Sequence, residues 1–486
     1  MRGSKLAEEV QGEYIGEDVE ITSISVDSRK KEKNCLFVCL VGKNVNSHHC
    51  IAEAKRNGAV AFVTEKVLDI DSPQIVVKDT RVALGYIASA FYGHPSKKLK
   101  MIGITGTNGK TTMSYMLENI LRTAGKKVGV IGTLGAVYGR KRLDTGFTTP
   151  DPIQLNEILA DMLISGVEYV VMEVSAHALY LKKVENLSFS ACIFTNFSQD
   201  HLDFFSSMEE YASAKKRLFS KQFCKTAILN GDDPIGREIG KAREKEGGAN
   251  FYYGLETPSD CFAVITDESL QGTECMLNIN DELCRVRIPM AGLYNVYNAL
   301  GAAACATLLG EKQGVKQGIS SIQRVPGRLE RVLQGQKGEI FIDFAHTPDG
   351  IEKSLSTLKN FCEGRLICVF GCGGNRDAKK RPIMGERVAK KADFSIITSD
   401  NPRYEDPLDI ITAIEKGYRR FSTRYVIVPD RKKAVEYAIE MMGKKDILLI
   451  AGKGGEDYQE IMGIKYPFND YTVVEELLSE NQSKIW

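Results

Sequence analysis

One ten-residue segment constrains this chain more than any other. Residues 103–112 read Gly-Ile-Thr-Gly-Thr-Asn-Gly-Lys-Thr-Thr and follow a short apolar run at 99–102 that is typical of a buried strand. In such a loop the glycines let backbone N–H groups close around phosphate oxygens, Lys110 places a charge on the β- and γ-phosphates, and the Thr111 hydroxyl can bind Mg²⁺. The segment therefore predicts a phosphate-binding loop of the Walker A type.

The residues after this loop have the apolar spacing of a helix. The side chains that would share one face are Met113, Met116, Leu117, Ile120 and Leu121. A bound phosphate would then lie at a helix N-terminus, where backbone N–H groups and the helix dipole favour an anion. A glycine-rich turn without a ligand would not require this order of strand, loop and helix, so we favour nucleotide binding.

Composition places the chain among ordinary globular proteins of several domains. It has 486 residues, too many for one hydrophobic core, and a net charge of +1. That balance provides no overall field for nucleic acid or an anionic membrane, so neither is expected as a partner. Residues 1–15 lack the apolar segment of a signal peptide, and the apolar stretch at 300–309 is too short to span a bilayer. Twelve cysteines without C-x-x-C pairs predict reduced thiols in a cytoplasmic protein.

Apolar runs that suggest strands alternate with helical patterns along almost the whole chain. This alternation predicts the α/β class with mostly parallel sheets. We predict three consecutive α/β domains at residues 1–97, 98–326 and 327–486, the second a P-loop ATPase-like domain and the third Rossmann-like. Strands are expected at 36–41, 59–63 and 75–77, at 169–174, 191–195 and 226–229, and at 339–342, 366–370, 394–398, 425–428 and 447–450.

Polar residues follow two of the predicted central strands. Glu173 lies in the strand at 169–174, and His201 comes shortly after the strand at 191–195. Ligands of open α/β sheets gather at the carboxyl ends of strands, so both side chains would lie beside the nucleotide. A carboxylate suits Mg²⁺, whereas a histidine alone would be an unusual ligand for that ion and is more often a capping or core residue. The position of His201 in a Walker domain favours a metal-binding role.

Ordered motifs along the whole chain carry a resemblance to a known family. They are GTNGKT at 106–111, MEVS at 172–175, TN at 195–196 with DHLD at 200–203, NVYNA at 295–299, PGRLE at 326–330 and DFAHTP at 343–348. In this order they resemble the ATP-dependent Mur ligases, a family that also includes folylpolyglutamate synthase. The resemblance implies a ligase that forms an amide through an acyl phosphate during peptidoglycan precursor synthesis.

The resemblance also implies the residues of the nucleotide and metal sites. ATP would be bound by Gly106, Thr107, Asn108, Gly109, Lys110, Thr111, Thr112, Asn295, Asn298, Arg328 and Asp343. The catalytic residues would be Lys110, Glu173, His201 and Lys215. Two Mg²⁺ ions would be held by Thr111, Glu173, His201 and Lys215, the last carbamylated by CO₂, since a carbamate is an oxygen-bearing anion. The alternative for Lys215 is an unmodified helix lysine in solvent.

Further segments resemble the branch of the family that adds the third residue of the peptidoglycan stem peptide. VDSR at 26–29 and TTP at 148–150 resemble its site for a UDP-linked muramoyl dipeptide and imply contacts from Ser28, Thr148, Thr149, Ser175 and Lys183. GCGGNRD at 371–377, DNPR at 400–403 and AGKGGE at 451–456 resemble its amino-acid pocket and imply contacts from Arg376, Asp400, Asn401, Pro402, Arg403, Gly452 and Glu456. The DNPR segment is typical of the version that uses meso-diaminopimelate.

The side chains of this pocket suit meso-diaminopimelate better than lysine. Diaminopimelate has an ammonium and a carboxylate at each end, and Arg403 offers a planar fork for the distal carboxylate. Asp400, Asn401 and Glu456 can meet the distal ammonium. Lysine would leave Arg403 unpaired. DNPR alone could be a simple turn, but the two neighbouring segments favour a pocket.

Three alternatives remain open from the sequence. Arg403 argues against the lysine-adding version of the ligase, and the segment at 26–29 argues against a folylpolyglutamate-type ligase. The intact metal-site residues argue against a non-catalytic nucleotide-binding scaffold. Leu181, Lys183 and Gly455 depart from the family pattern, which leaves details of the substrate contacts open. We expect a monomer.

Overall fold

The N-terminal part of the chain forms a five-stranded sheet in the computed structural model, which describes residues 1–42, 46–333 and 338–483. Its elements are α1 (Gly3–Glu9), β1 (Glu13–Ile15), β2 (Ser23–Ser25), β3 (Cys35–Val38), α2 (Ile51–Arg56), β4 (Ala59–Thr64), β5 (Gln74–Val76) and α3 (Thr80–Phe91). The strand order is β1-β5-β4-β3-β2, and all neighbours are parallel except β1 and β5.

The central part builds the largest sheet. Its first elements are β6 (Lys100–Thr105), α4 (Lys110–Thr123), β7 (Val128–Gly132), β8 (Gly135–Tyr138), β9 (Lys141–Leu143), α5 (Pro152–Ile164), β10 (Tyr169–Glu173), α6 (Ala176–Tyr180), β11 (Phe189–Phe194) and α7 (Met208–Lys216). The remaining ones are β12 (Cys224–Asn230), α8 (Pro234–Lys245), β13 (Ala249–Gly254), β14 (Cys261–Ser269), β15 (Gly272–Ile279), β16 (Glu282–Ile288), α9 (Leu293–Leu308) and α10 (Val315–Ser320). The order is β16-β15-β14-β13-β12-β11-β6-β10-β7-β8-β9.

The C-terminal part forms a six-stranded sheet and a separate hairpin. Its elements are β17 (Glu330–Val332), β18 (Glu339–Asp343), α11 (Pro348–Lys359), β19 (Leu366–Phe370), α12 (Lys380–Lys391), β20 (Phe394–Ile397), α13 (Pro407–Tyr418), β21 (Tyr425–Ile427), α14 (Arg431–Met441), β22 (Ile447–Ala451), β23 (Tyr458–Ile461), β24 (Ile464–Pro467) and α15 (Asp470–Ser483). The sheet order is β17-β18-β22-β19-β20-β21, and only β17 runs antiparallel to its neighbour.

These sheets confirm the predicted α/β class and the mostly parallel central sheet. The predicted helix face after the phosphate loop is also confirmed, because Met113, Met116, Leu117, Ile120 and Leu121 are fully buried. A strand is observed at each position where one was predicted, and the observed ends differ from the predicted ends by a few residues. The domain boundaries at 97/98 and 326/327 stay predictions.

The sequence reading missed the antiparallel additions at both edges of the central sheet. These are the hairpin β8–β9 and the run β14–β15–β16. Each has a solvent-facing side: β14 alternates between exposed and half-buried residues over 262–266, and β15 alternates between buried and half-buried ones over 273–279. Such strands lack the continuous apolar run by which buried parallel strands are recognised.

Strand order places the phosphate loop at the centre of the sheet. Strand β6 lies between β10 and β11 and is parallel to both. The carboxyl ends of these three strands therefore meet at one edge, which is where open α/β sheets bind ligands. No helix within the described ranges is long and apolar enough to cross a membrane.

A fully buried ion pair ties together the C-terminal helices. Arg431 at the start of α14 donates from Nε and Nη2 to the two carboxylate oxygens of Asp470 at the start of α15, both at 2.8 Å. Neither side chain is exposed to solvent. The same guanidinium donates to the carbonyls of Ser399 at 3.3 Å and Ala451 at 3.0 Å, so it also holds two strand ends.

Replacing Asp470 by Asn should destabilise the C-terminal region by about 3–5 kcal/mol, because Arg431 would keep a buried charge without its bidentate partner. Urea unfolding followed by hydrogen exchange of the C-terminal strands measures this loss. The control is Glu363→Gln, which breaks the ion pair of Glu363 with Lys445. Their side chains are 72% and 73% exposed, respectively. That variant should change stability by less than about 1 kcal/mol. Equal effects of the two substitutions would contradict the prediction.

Candidate active site

A large cleft runs between the central and C-terminal sheets. It encloses about 1670 Å³ and is lined at one end by the phosphate loop and at the other by the segments 400–403 and 452–456. Pockets for one small molecule usually measure about 300–1,000 Å³. The cleft therefore has room for a nucleotide together with further substrates.

The phosphate loop is held by the residues that follow β11. Thr195 Oγ1 donates to the Asn108 carbonyl at 2.7 Å, and Asn196 Nδ2 donates to the same oxygen at 3.1 Å. The backbone N–H of Asn108 donates in turn to Asn196 Oδ1 at 3.0 Å. Gly106 passes so close that an added Cβ would lie 1.8 Å from Thr195 Oγ1. The shape of the loop thus depends on the end of a neighbouring strand.

Two lysine ammonium groups approach this loop from inside. Lys110 Nζ donates to the carbonyls of Gly106 and Thr107, both at 2.9 Å. Lys215 of α7 is 1% exposed, and its Nζ donates to the Gly106 carbonyl at 2.8 Å. Burial, reinforced by the charge of Lys110, lowers the pKa of Lys215 well below its usual value. This placement contradicts the solvent-exposed alternative for Lys215.

Glu173 lies at the end of β10 and is only 1% exposed. Its carboxylate accepts from the Thr133 N–H at 3.0 Å and the Thr133 hydroxyl at 3.2 Å. The Thr133 hydroxyl lies 3.2 Å from that of Thr148. Thr149 donates to the Glu173 carbonyl at 2.9 Å and accepts from the Ser175 N–H at 3.0 Å. One hydrogen-bonded group therefore joins a predicted metal ligand to three predicted substrate contacts.

His201 lies beyond β11 in the left-handed backbone region, with φ of 57°. Its Nε2 is 3.3 Å from Asp200 Oδ2, and its ring centroid is 4.6 Å from that of His177. Burial lowers the pKa of His201 to about 3, although Asp200 opposes this shift. The imidazole is therefore neutral near pH 7, the form that can donate a lone pair to a metal ion.

Arg328 reaches across from the segment between the central and C-terminal sheets. Its Nη2 donates to Thr111 Oγ1 at 3.0 Å, and its guanidinium lies 4.4 Å from the centroid of the Phe344 ring. Asp343, at the end of β18, accepts from the Leu329 N–H at 2.5 Å. Burial raises the pKa of Asp343 despite the nearby charge of Arg328. The C-terminal part thus contributes directly to the nucleotide end of the cleft.

Asn295 and Asn298 of α9 lie behind the phosphate loop. Asn298 Oδ1 would be 2.5 Å from a Cβ added at Gly109, whose φ is +86°. Asn298 Nδ2 donates to Asn295 Oδ1 at 3.3 Å, and Asn295 Nδ2 donates to the Ala291 carbonyl at 2.8 Å. Asn298 lines the cleft, whereas Asn295 is buried and supports it.

The end of the cleft that is predicted to bind the amino acid is formed by loops that follow β19, β20 and β22. Arg403 has φ of 52°, and its Nε and Nη1 donate to Glu460 Oε2 at 3.1 Å and the Gly374 carbonyl at 2.8 Å. Gly374 passes close to Pro402, because an added Cβ would lie 1.9 Å from the Pro402 carbonyl oxygen. Arg376 is exposed and lines the cleft. Two arginines thus face the same space.

Acidic and amide groups lie opposite these arginines. Asn401 Nδ2 donates to Glu456 Oε2 at 2.8 Å. Gly452 has φ of +116°, and an added Cβ would lie 2.5 Å from Asp400 Oδ2. Although burial acts to raise it, the pKa of the Asp400 carboxyl is lowered because of Lys453 and Arg431. Asp400 therefore remains an anion at the pocket.

The glycine loop at 452–455 touches the segment that carries Arg328. A Cβ added at Gly327 would lie 2.0 Å from the Gly455 nitrogen, and one added at Gly454 would lie 2.8 Å from the Gly327 oxygen. Gly327 and Gly454 have positive φ angles of 62° and 53°. The amino-acid pocket and the nucleotide end of the cleft are therefore in direct backbone contact.

Ser28 is the one predicted substrate residue that lies far from this group. Its carbonyl accepts from Asn57 Nδ2 at 2.7 Å, and its hydroxyl donates to Glu53, within the N-terminal part. Lys183 does line the cleft, but its Nζ lies 2.7 Å from Asp151 Oδ1 and 4.3 Å from the centroid of the Phe147 ring. The structure thus brings the predicted residues together except for Ser28.

Asp349 and Thr133 lie at the site but were missed by the sequence reading. Asp349 of α11 accepts from Asn108 Nδ2 at 3.1 Å and from the Ser198 hydroxyl at 3.2 Å. It follows the capping residue Thr347 in the first turn of its helix, an ordinary place for an acidic residue. Thr133 follows β7 in a segment without a motif. Neither residue has a sequence signal that separates it from its neighbours.

Comparison with known proteins agrees with this geometry. The Mur ligase middle domain matches residues 104–306, and the domain described as "Mur ligase, glutamate ligase domain" matches residues 327–454. A UDP-N-acetylmuramoyl-L-alanyl-D-glutamate--2,6-diaminopimelate ligase of Caldanaerobacter subterraneus is 41% identical, over 99% of this chain and 100% of its own length. The chain belongs to the Mur ligase family. A Clostridium acetobutylicum ligase of the same name, numbered 1, is also 41% identical, over 99% of this chain and 100% of its own.

A solved structure shows the same arrangement as this Mur ligase. It is described as a UDP-N-acetylmuramoyl-L-alanyl-D-glutamate--2,6-diaminopimelate ligase and superposes with a TM-score of 0.69 at 31% identity. The match covers 96% of this chain and 98% of that one. The three-part α/β architecture predicted from the sequence is therefore confirmed as that of a Mur ligase.

Replacing Gly106 by Ala should weaken ATP binding at least about 100-fold, because the new methyl group would overlap Thr195 Oγ1 and displace the loop. Equilibrium binding of a fluorescent ATP analogue measures the change. Gly125→Ala is the matched control, since Gly125 also has a positive φ, of 82°, but nothing lies within 4 Å of its added Cβ. Unchanged affinity in Gly106→Ala would show that the loop does not depend on this contact.

Proposed function

We propose that this Mur ligase joins meso-2,6-diaminopimelate to UDP-N-acetylmuramoyl-L-alanyl-D-glutamate with the use of ATP, a step of peptidoglycan precursor synthesis. The observation that carries the proposal is full-length similarity to ligases of that name, in a chain with one cleft that contains both a phosphate loop and an arginine-lined pocket. We also propose that the enzyme acts as a monomer. We propose a cytoplasmic location for the enzyme, because the reaction consumes ATP.

The phosphoryl-transfer step takes place at the nucleotide end of the cleft. The D-glutamyl side-chain carboxylate attacks the γ-phosphorus, an acyl phosphate forms, and ADP leaves. Lys110 and Arg328 are the cations placed to stabilise the charge of the phosphoryl oxygens. Thr148, Thr149 and Ser175 would position the dipeptide beside the phosphate loop.

The amide-forming step requires an amine from the opposite end of the cleft. The diaminopimelate amine attacks the acyl carbon, inorganic phosphate leaves, and the new amide nitrogen gives up a proton. Arg403 and Arg376 would hold the distal carboxylate, while Glu456 and Asp400 would attract the distal ammonium. Enclosure between two sheets protects the acyl phosphate from water.

Three of the four predicted metal ligands fit Mg²⁺ by their chemistry, because Thr111, Glu173 and a carbamylated Lys215 would offer oxygen atoms. Among the described residues no group of three or more His, Cys, Asp or Glu is arranged to hold a metal ion. The predicted set instead combines the Thr111 hydroxyl, the Glu173 carboxylate, neutral His201 and Lys215. A lowered pKa leaves more of Lys215 as the free amine, the form that CO₂ carbamylates, and the carbamate would add hard oxygen ligands. Bound there, two Mg²⁺ ions would neutralise phosphate charge.

The test is phosphate release by the full chain with ATP and the UDP-muramoyl dipeptide, with either meso-diaminopimelate or lysine as the acceptor. We expect release that depends on the dipeptide and a preference for diaminopimelate by at least about 10⁴-fold in kcat/KM, because lysine has no distal carboxylate for Arg403 to bind. A preference for lysine would favour the lysine-adding alternative. No release with either amino acid would overturn the proposed reaction.

Replacing Arg403 by Ala should reduce kcat/KM for meso-diaminopimelate by a factor of about 30 or more, since a charge-assisted contact with a desolvated carboxylate is worth about 2–5 kcal/mol. Lysine never makes that contact and should lose little. Arg419→Ala serves as the control, because its side chain is 67% exposed and pairs only weakly with Glu415 at 3.9 Å. Equal losses for both amino acids would make Arg403 a structural residue.

Replacing Lys215 by Ala should abolish turnover while short carboxylates such as formate restore part of it, because they can stand in for the carbamate oxygens. The neighbour Lys216, paired with the exposed Glu238, provides the control variant Lys216→Ala with near-normal activity. Wild-type enzyme incubated with labelled bicarbonate should show a carbamate carbon signal by NMR that Lys215→Ala lacks. Its absence from active wild-type enzyme would rule out the modification.

A further inference from the structure

Lys453 is a buried cation with no role in the reaction as described above. It follows β22 on the glycine loop, between Gly452 with φ of +116° and Gly454 with φ of +53°. Its side chain has 0% exposure. An ammonium is costly to bury unless it is paired and hydrogen-bonded, so its partners define what it does there.

Those partners are two predicted substrate-binding residues. Lys453 Nζ donates to Asn401 Oδ1 and to Glu456 Oε2, both at 2.9 Å. The Tyr458 ring lies on the same side, with its centroid 5.6 Å from Nζ. In the ion pair of Lys453 and Glu456, only the Glu456 side chain reaches solvent, at 23% exposure. The ammonium therefore lies directly behind the amino-acid pocket and not in it.

The contacts of Lys453 determine which way the Asn401 amide points. Asn401 Oδ1 accepts both from Lys453 Nζ and from the Glu460 backbone N–H, each at 2.9 Å, so both of its lone pairs are used. Asn401 Nδ2 donates to Glu456 Oε2 at 2.8 Å. A flipped amide would place N–H groups against an ammonium and a backbone N–H. Asn401 is thus left with an N–H donor for a ligand.

Glu456 is oriented by the same group. Its Oε2 accepts from both Lys453 Nζ and Asn401 Nδ2. The carboxylate is thereby held by one oxygen, and Oε1 is the oxygen that this arrangement leaves for an incoming ammonium. Side chains that are already fixed lose little entropy when a ligand binds.

We infer that Lys453 is a positioning residue for diaminopimelate, which fixes the Asn401 amide and the Glu456 carboxylate in the orientation that the amino acid meets. This inference rests on the proposed function, because it concerns the same amino-acid substrate. Lys453 acts through its two partners and does not touch the reacting atoms. Its loss should therefore affect binding of the amino acid and leave binding of the nucleotide unchanged.

The experiment compares Lys453→Met with Lys453→Gln in the full chain. The methionine replaces the aliphatic part of the lysine side chain and removes both hydrogen bonds, whereas the glutamine amide can still donate to one partner. We expect KM for meso-diaminopimelate to rise about 10- to 100-fold in Lys453→Met and less in Lys453→Gln. KM for ATP and for the UDP-muramoyl dipeptide should stay within about 2-fold of wild type. Lys445→Met, at a 73% exposed lysine of the same part of the chain, should change none of these constants.

Any result that differs from these expectations would overturn the inference. Equal increases in KM for all three substrates, or an unchanged KM for diaminopimelate, would overturn it. Thermal unfolding and ATP binding are measured on every variant, and if neither Lys453 variant is folded and binds ATP, the residue is needed for folding and the inference also fails. Failure of the wild-type enzyme to use diaminopimelate would instead overturn the proposed function, and the wild-type assay reports that outcome separately.

Discussion

The close packing of the phosphate loop against the end of β11 is the constraint on which the rest of the site depends. Gly106 can approach Thr195 only because it has no side chain, and Asn108 is then hydrogen-bonded through both its N–H and its carbonyl. The loop is consequently shaped by a strand to which it is not adjacent in sequence. The backbone of the loop is thereby fixed in advance, and preorganised donors are the condition for electrostatic stabilisation of a transition state.

From this fixed point, contacts extend to the C-terminal part of the chain. Arg328 donates to Thr111, and Asp349 accepts from Asn108. Residues of the central and C-terminal parts therefore contact each other at the phosphate loop. The acyl phosphate must meet an amine that is bound by different residues. Contacts that connect the two sheets at the phosphate loop bring that amine near the reacting group, which reduces the entropy cost of the second step.

The sequence predicted those parts of the molecule that depend on local pattern. The helix face beginning at Met113 and the buried strands could be read directly, because continuous or periodic apolar residues specify them. The edge strands β14–β16 could not, since many of their residues are exposed or half-buried and interrupt the apolar run. Asp349 was missed for another reason: an acidic residue in the first turn of a helix is common, and only the tertiary fold brings this one to Asn108. Likewise, no sequence pattern shows that the oxygen of Asn401 is already bonded to Lys453 and Glu460.

The backbone contact between Gly327 and the loop at 454–455 has a consequence for how such an enzyme can evolve. A side chain at Gly327 or Gly454 would push apart the turn that carries Arg328 and the loop that carries Lys453 and Glu456. Under the proposed function, changes of acceptor amino acid would therefore arise at positions away from this contact, such as Arg403. The alignment of the nucleotide and the base of the acceptor pocket would be inherited as one unit, while the rim of the pocket remains free to diversify.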